Sequence, residues 1–199
     1  MPRPDVSDER RPQIIEAAIR VFTRKGYRKT TMPEIAREAG LSIGGVYWYF
    51  KSKDEIILDI LGQCFQGDMA NLDTLLNTGA PAEERMLSFI ANYAESFKVY
   101  AWLNPIGIEF YGESAHDIRV RSFIQKYLKH YRQALVTFIE QGIQRGEFKA
   151  VNPVDVANAF LSLEEGLSLL LVADPEGVDW QKSFQTGAQL LLSGLLARN

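Results

Sequence analysis

TTMPEIAREAGLSIGGVYWYFKSKDEI, residues 30–56 of the chain, describes two short helices joined by a tight turn, with a third helix starting directly behind them. Thr31 and Glu34 stand in capping-box spacing, and Pro33 occupies the first turn, where its missing N–H costs little. Met32, Ile35, Ala36 and Ala39 give the helix an apolar side, and small Ala36 permits close helix crossing. Gly40 then supplies the positive backbone torsion that a tight turn needs. After Leu41 and Ser42 a short helix spans about 43–50, in which Val46 and Phe50 fall four apart and face a core, while Ile43 and Tyr47 share another side. That second side is free to enter a DNA major groove. Gly44 and Gly45 each cost about 1 kcal/mol relative to alanine in a helix, and close approach of the backbone to DNA would account for the pair. Tyr47 and Tyr49 carry hydroxyls suited to phosphates. Lys53 adds a positive charge at the start of the next helix, which Ser52 and Glu55 open as a second capping box. Trp48 either packs internally or touches a thymine methyl.

Working outward, residues 8–25 read as a first helix with Ile14, Ala18, Val21 and Phe22 on one face, Glu16, Arg20 and Arg24 on the other, and Gly26 as its stop. Three helices therefore occupy about the first fifty residues. Residues 1–53 hold 11 Lys and Arg against 6 Asp and Glu, a net of +5, whereas residues 54–199 hold 11 against 19, a net of −8. The whole-chain charge of −3 hides this contrast. A basic module on an acidic body is the distribution of a polyanion-binding unit attached to a sensing or oligomerising one.

The basic first helix, then T-x-x-x-I-A-x-x-A-G-L-S, then Y-W-Y-F-K-S-K-D-E, resembles the DNA-binding domain of the TetR family of regulators over about residues 10–60. The resemblance implies DNA contact, mostly to phosphates, by Thr31, Ser42, Ile43, Gly45, Tyr47, Trp48, Tyr49 and Lys53. Ile43, Gly44 and Gly45 stand where many relatives carry polar or charged residues, leaving few groups for base hydrogen bonds. The expected organisation is a helix-turn-helix domain at 1–53, a linking helix over about 53–76, and a ligand-binding and dimerisation domain at 54–199. The expected fold is all-α with about nine helices.

Helical periodicity continues through the remainder, with helices read at about 54–76, 81–101, 105–112, 117–146, 153–172 and 179–197 and breaks between them, the first of these at 78–81. Phe89, Tyr93 and Phe97 form one aromatic stripe; Phe123, Tyr127, Tyr131, Ala134 and Phe138 form another, and Trp102, Phe110 and Tyr111 lie between them. Such stripes either fill a core or line a cavity, and the resemblance implies a cavity. The candidate pocket set is Phe89, Tyr93, Trp102, Glu109, Phe110, Phe123, Tyr127, Tyr131 and Glu164. Tyrosine-rich walls suit a lipophilic or cationic small molecule. Glu109 and Glu164, each on an apolar face, are either pocket acids for a basic ligand group or members of internal pairs.

The last two helices are apolar on more than one side, so a partner beyond the monomer core is expected. By the resemblance they form a four-helix dimer interface, assigned here to Phe160, Leu163, Leu167, Leu170, Trp180, Phe184, Ala188, Leu191 and Leu195. The body also loosely resembles that of the betaine-regulator-like members. A homodimer would require a palindromic operator in double-stranded DNA.

The residue inventory carries no nucleophile elbow, phosphate loop or metal cluster; His116 and His130 are isolated, and no enzymatic activity, cofactor or metal is expected. Cys64 is the single cysteine and forms no internal disulfide. The charged, proline-bearing start lacks a secretory signature, and Glu164, Glu165 and Gly166 interrupt the most apolar run, so a cytoplasmic location away from membranes is expected. The expected function is a ligand-released transcriptional repressor; an activator of the same family and a ligand-independent architectural DNA-binding dimer are the alternatives.

Overall fold

The computed structural model describes residues 7–77 and 79–197. The charged start, residues 1–6, and Thr78 at the expected break lie outside them. The described residues are almost wholly helical, in the order α1 (Ser7–Lys25), α2 (Met32–Glu38), α3 (Ile43–Tyr49), α4 (Lys53–Asn77), α5 (Ala82–Tyr100), α6 (Asn104–Glu113), α7 (Ile118–Gln144), α8 (Pro153–Ala173) and α9 (Trp180–Leu195). A 3₁₀ turn, Ala101–Leu103, joins α5 to α6. No strand occurs among the described residues, and one isolated antiparallel bridge pairs Phe148 with Leu196. The chain separates into two compact units, Met1–Cys64 and Phe65–Asn199.

In the first unit, α1 buries Ile14, Ala17, Ala18, Val21 and Phe22. Gly26 ends it with φ +79, and its N–H donates to the Phe22 carbonyl at 2.8 Å. The Glu34 carboxylate reaches back to the N–H and hydroxyl of Thr31, each at 3.0 Å, and so fixes the start of α2. Gly40, at φ +66, closes α2: Leu41 N–H donates to Ala36 carbonyl at 2.9 Å and Gly40 N–H to Arg37 carbonyl at 3.1 Å. This is the paired closure that satisfies the last carbonyls of a helix. The Ser42 hydroxyl then accepts from Gly45 N–H at 3.1 Å to start α3, and Val46 and Phe50 plug into the core.

The basic face of α1 is tied to α2. Arg20 and Arg24 each meet the Glu38 carboxylate at 2.9 Å, and Lys25 pairs with Glu34. Lys25 first, and then Thr31, hold the Glu34 carboxyl at about 2 against an ordinary 4.5. A carboxyl depressed in the folded state stabilises that state above its unfolded pKa and loses the effect as pH falls through its folded value. We therefore expect a loss of stability on acidification from pH 4.5 toward about 2. Glu34→Gln should make denaturant midpoints fall less steeply across that window; an unaltered slope would show that the α1–α2 pair contributes nothing.

In the second unit, α7 packs on α8, α5 on α9, and α8 on α9. Met86, Ile90 and Tyr93 of α5 share a core with Ala134, Leu135, Phe138 and Ile139 of α7, Ala157 and Phe160 of α8, and Phe184, Ala188, Leu192 and Leu195 of α9. The break expected at Asn104 and Pro105 is not a loop. Pro105 sits in the first turn of α6, where proline is tolerated, and the 3₁₀ turn carries the chain directly into it. α8 is long and apolar enough to cross a bilayer by length and composition, yet it carries Glu164 and Glu165 and packs against α7 and α9.

Candidate functional site

Two sites emerge, one in each unit. In the first, α3 projects an uncovered surface. Trp48 is 71% exposed, Ile43 45% and Tyr47 42%, while Val46 between them is fully buried. A seven-residue helix that hides a valine and displays a tryptophan is oriented for contact beyond its own core. Trp48 is therefore on the surface, with its ring edge-on to half-buried Tyr49 at 5.0 Å. Thr31, Ser42 and Gly44 are exposed beside this surface and Gly45 is half-buried. A Cβ added at Gly44 would meet nothing within 4 Å; one added at Gly45 would stand 3.2 Å from the Ser42 hydroxyl that caps the helix.

Lys53 is placed differently from its neighbours. Its ammonium donates to the carbonyls of Tyr27 (3.0 Å), Arg28 (3.2 Å) and Thr30 (3.3 Å) and lies 4.4 Å from the Tyr27 ring centroid. These contacts brace the α1–α2 turn. Lys51, which the sequence reading does not single out, donates to the Tyr47 carbonyl at 3.0 Å, at the C-terminal end of α3. A cation there follows from the orphan carbonyls of a helix end.

In the second unit a cavity of about 30 Å³ lies between four helices. Phe89 and Tyr93 of α5, Tyr127, Tyr131 and Leu135 of α7, Phe160, Leu161 and Glu164 of α8, and Phe184 of α9 form its walls. The rings touch one another: Tyr127 meets Tyr131 edge-on at 4.7 Å, and Tyr93 lies 5.3 Å from Phe184. Burial, reinforced by Tyr93, Tyr131 and the two neighbouring carboxylates, pushes the Tyr127 phenol well above 10, so it stays protonated. The Glu164 carboxylate accepts from the Ser168 hydroxyl at 3.1 Å. One residue on, Glu165 accepts from Tyr111 of α6, and burial raises its carboxyl above the ordinary 4.5.

Five of the expected pocket residues, Phe89, Tyr93, Tyr127, Tyr131 and Glu164, meet at this cavity. Trp102, Glu109, Phe110 and Phe123 do not line it. Trp102 sits in the 3₁₀ turn, Glu109 and buried Phe110 belong to α6, which contributes no wall, and Phe123 lies one turn before Tyr127 on α7. Leu135, Phe160, Leu161 and Phe184 complete the walls instead. Leu135 continues the stripe of Tyr127 and Tyr131 at intervals of four, a signal present in the sequence.

The residues expected at the dimer surface divide into buried and exposed ones. Phe160, Trp180, Phe184, Ala188 and Leu195 are 0–6% exposed inside the chain's own fold, so they offer no face to a partner. Trp180 is sandwiched between Phe97, 3.6 Å away at 6°, and Phe184, 4.9 Å away at 10°. The exposed apolar positions of α8 and α9 are Leu170 at 51%, with Val154, Leu169, Val172 and Leu190, which had not been assigned; Leu163, Leu167 and Leu191 are half-buried.

Comparison with known proteins covers both units. Residues 14–60 match the family described as bacterial regulatory proteins, tetR family, and residues 85–178 match the tetracyclin repressor-like C-terminal domain. The HTH-type transcriptional regulator YfiR of Bacillus subtilis is 28% identical, over 80% of this chain and 78% of its own length. The HTH-type transcriptional repressor KstR2 of Mycobacterium tuberculosis (strain CDC 1551 / Oshkosh) is 27% identical, over 77% of this chain and 76% of its own. The crystal structure of a transcriptional regulator from Saccharomonospora viridis in complex with choline superposes with a TM-score of 0.82 at 21% identity, covering 96% of this chain and all of that one (100%). At that identity the likeness establishes the fold.

Proposed function

This chain belongs to the TetR family of bacterial transcriptional regulators, with a DNA-binding helix-turn-helix and a ligand-binding C-terminal domain, and from that premise we propose that it is a repressor released from a palindromic operator by a small molecule. The observation that carries the DNA-binding reading is the display of Ile43, Tyr47 and Trp48 on α3 while Val46 and Phe50 anchor it. α3 enters the major groove, with Thr31, Ser42, Gly45 and Tyr49 at the flanking phosphates and Lys53 bracing the turn that carries Thr31. The helix-turn-helix occupies 1–53 and the sensing and dimerising body 54–199, with α4 linking them.

Two copies pair through the outward sides of α8 and α9, where Leu169, Leu170 and Leu190 are exposed. The pair presents two recognition helices about one DNA turn apart, roughly 34–36 Å, which calls for a palindromic site. Repression, rather than activation, is favoured by the repressor name of the KstR2 relative. The protein acts in the cytoplasm, where its DNA is.

A ligand shifts this equilibrium only through a difference in affinity between two conformations. The cavity of about 30 Å³ has room for about two waters, so a bound ligand parts the walls formed by α5, α7, α8 and α9. A coupling of about 1–3 kcal/mol would weaken operator binding roughly 5- to 150-fold. Footprinting of the purified protein on the DNA flanking its own gene tests the reading. A protected near-palindrome is the expected result; uniform, salt-sensitive coating without a protected site would rule out a specific repressor.

A further inference from the structure

The Lys53 ammonium is fully engaged inside the first unit. An ammonium has three N–H donors and no acceptor. Here the carbonyls of Tyr27, Arg28 and Thr30 take them at 3.0, 3.2 and 3.3 Å, and the Tyr27 ring centroid lies 4.4 Å away. Turning the group outward to a phosphate would break these bonds, so no donor is left for DNA. The family resemblance counts Lys53 among the DNA contacts; its hydrogen bonds give it other work.

The same bonds decide which way the turn between α1 and α2 faces. Gly26 turns the chain at φ +79, the Thr30 hydroxyl donates to the Gly26 carbonyl at 2.8 Å, and Thr30 N–H donates to the Tyr27 carbonyl at 3.2 Å. Tyr27 and Thr30 are buried, and the Tyr27 hydroxyl donates to Asp54 of α4. With these groups drawn inward, Arg28 and Lys29 are left exposed beside exposed Thr31. The acids of this corner are engaged, Glu34 with Lys25 and Thr31 and Asp54 with Tyr27. Lys29 enters no ion pair among the described residues, so its charge is available to a polyanion.

Resting on the reading of this unit as DNA-binding, we infer that Lys29 is the cation that meets a backbone phosphate at this corner, and that Lys53 is a positioning residue. Lys53 acts on DNA only by holding the turn that presents Lys29 and Thr31.

The test is fluorescence anisotropy of the full chain on one mixed-sequence DNA duplex over a series of salt concentrations. Phosphate contacts act on any sequence, so the operator is not needed. Lys29→Met should flatten the slope of log K against log salt by about 0.9 for each copy bound. Lys53→Met should weaken binding roughly 3- to 10-fold, the ordering cost of a released turn, at the wild-type slope. Lys53→Arg should lose affinity in the same way, because a planar guanidinium does not match three converging carbonyls, whereas a phosphate contact would accept it. An unchanged slope for Lys29→Met, a flattened slope for Lys53→Met, or wild-type affinity for Lys53→Arg would each overturn the inference. Lys29 is exposed, so its variant decides the matter even if the Lys53 variants fail to fold. Wild-type protein that binds no duplex at low salt would refute the DNA-binding reading, and the inference with it, an outcome distinct from any change among the variants.

Discussion

Gly142→Ala is expected to destabilise the protein by about 1–2 kcal/mol, although alanine is the better helix former. A Cβ at this position of α7 would lie 2.2 Å from Cδ2 and 2.5 Å from Cε2 of Phe148. That ring has no room to retreat. It is buried, stands edge-on to the Phe138 ring at 5.6 Å and 67°, and its own N–H donates to the Gly142 carbonyl at 3.1 Å. Relief would require opening the bridge to Leu196 or displacing Phe138 from the centre of the core. Overpacking of this kind costs about 1–3 kcal/mol, against a helix-propensity gain of up to about 1 kcal/mol. Thermal melting should show a fall of roughly 3–8 °C. Combination with Phe148→Leu should be less than additive. A melting temperature equal to or above that of the wild type would mean that the turn after α7 yields more readily than its contacts indicate.

Gly44→Ala should do the opposite to the isolated protein and something different to its complex. No atom waits within 4 Å of the added Cβ, so the helix-propensity difference acts alone and stability should rise by about 0.5–1 kcal/mol. DNA affinity should nevertheless fall by at least about tenfold, corresponding to about 1.4 kcal/mol, because a methyl group on the exposed start of α3 holds the backbone away from the duplex. Gly45→Ala is a useful companion: its Cβ would press on the Ser42 hydroxyl at 3.2 Å and disturb the cap, so it should lack the gain in stability. Melting and fluorescence anisotropy on one DNA duplex separate the two effects. Undiminished DNA affinity for Gly44→Ala would remove the clearance explanation for the glycine pair.

The helix-turn-helix was legible in the sequence because its information is local. Thr31 with Glu34, Gly40, Ser42, and the spacing of Val46 and Phe50 each specify a backbone feature within four residues, and the folded chain uses all of them. The body was less legible for a physical reason. Periodicity places Phe160 and Leu163 on apolar sides of α8 without saying which side meets α9 of the same chain and which remains outside. Gly187 decides part of it: a Cβ there would meet Leu163 at 2.8 Å, so α8 and α9 approach closely at this point. Phe184 and Trp180 are drawn inward by a tilted ring contact with Tyr93 and by stacking on Phe97, contacts between residues roughly ninety positions apart that no local pattern encodes. The same limit applies to Glu109 and Glu164, whose flanking residues look alike; only the packing of α6 and α8 separates the acid beside the cavity from the one away from it. The arginines of α1 were legible as a basic face, but their pairing with Glu38 was not, since it depends on how α1 meets α2.

The narrow cavity of the second unit has a consequence in time as well as in affinity. On the proposed function, with space for about two waters between packed aromatic rings, effector entry would await a collective parting of helices, a motion of the microsecond-to-millisecond class. At low concentration the response speed rises with the amount of effector; at high concentration it meets a ceiling set by how often the walls open. Chemically different effectors then share one maximal rate while differing in the dose that reaches it. If the proposed function holds, the speed of operator release in that regime is a property of the protein's own breathing.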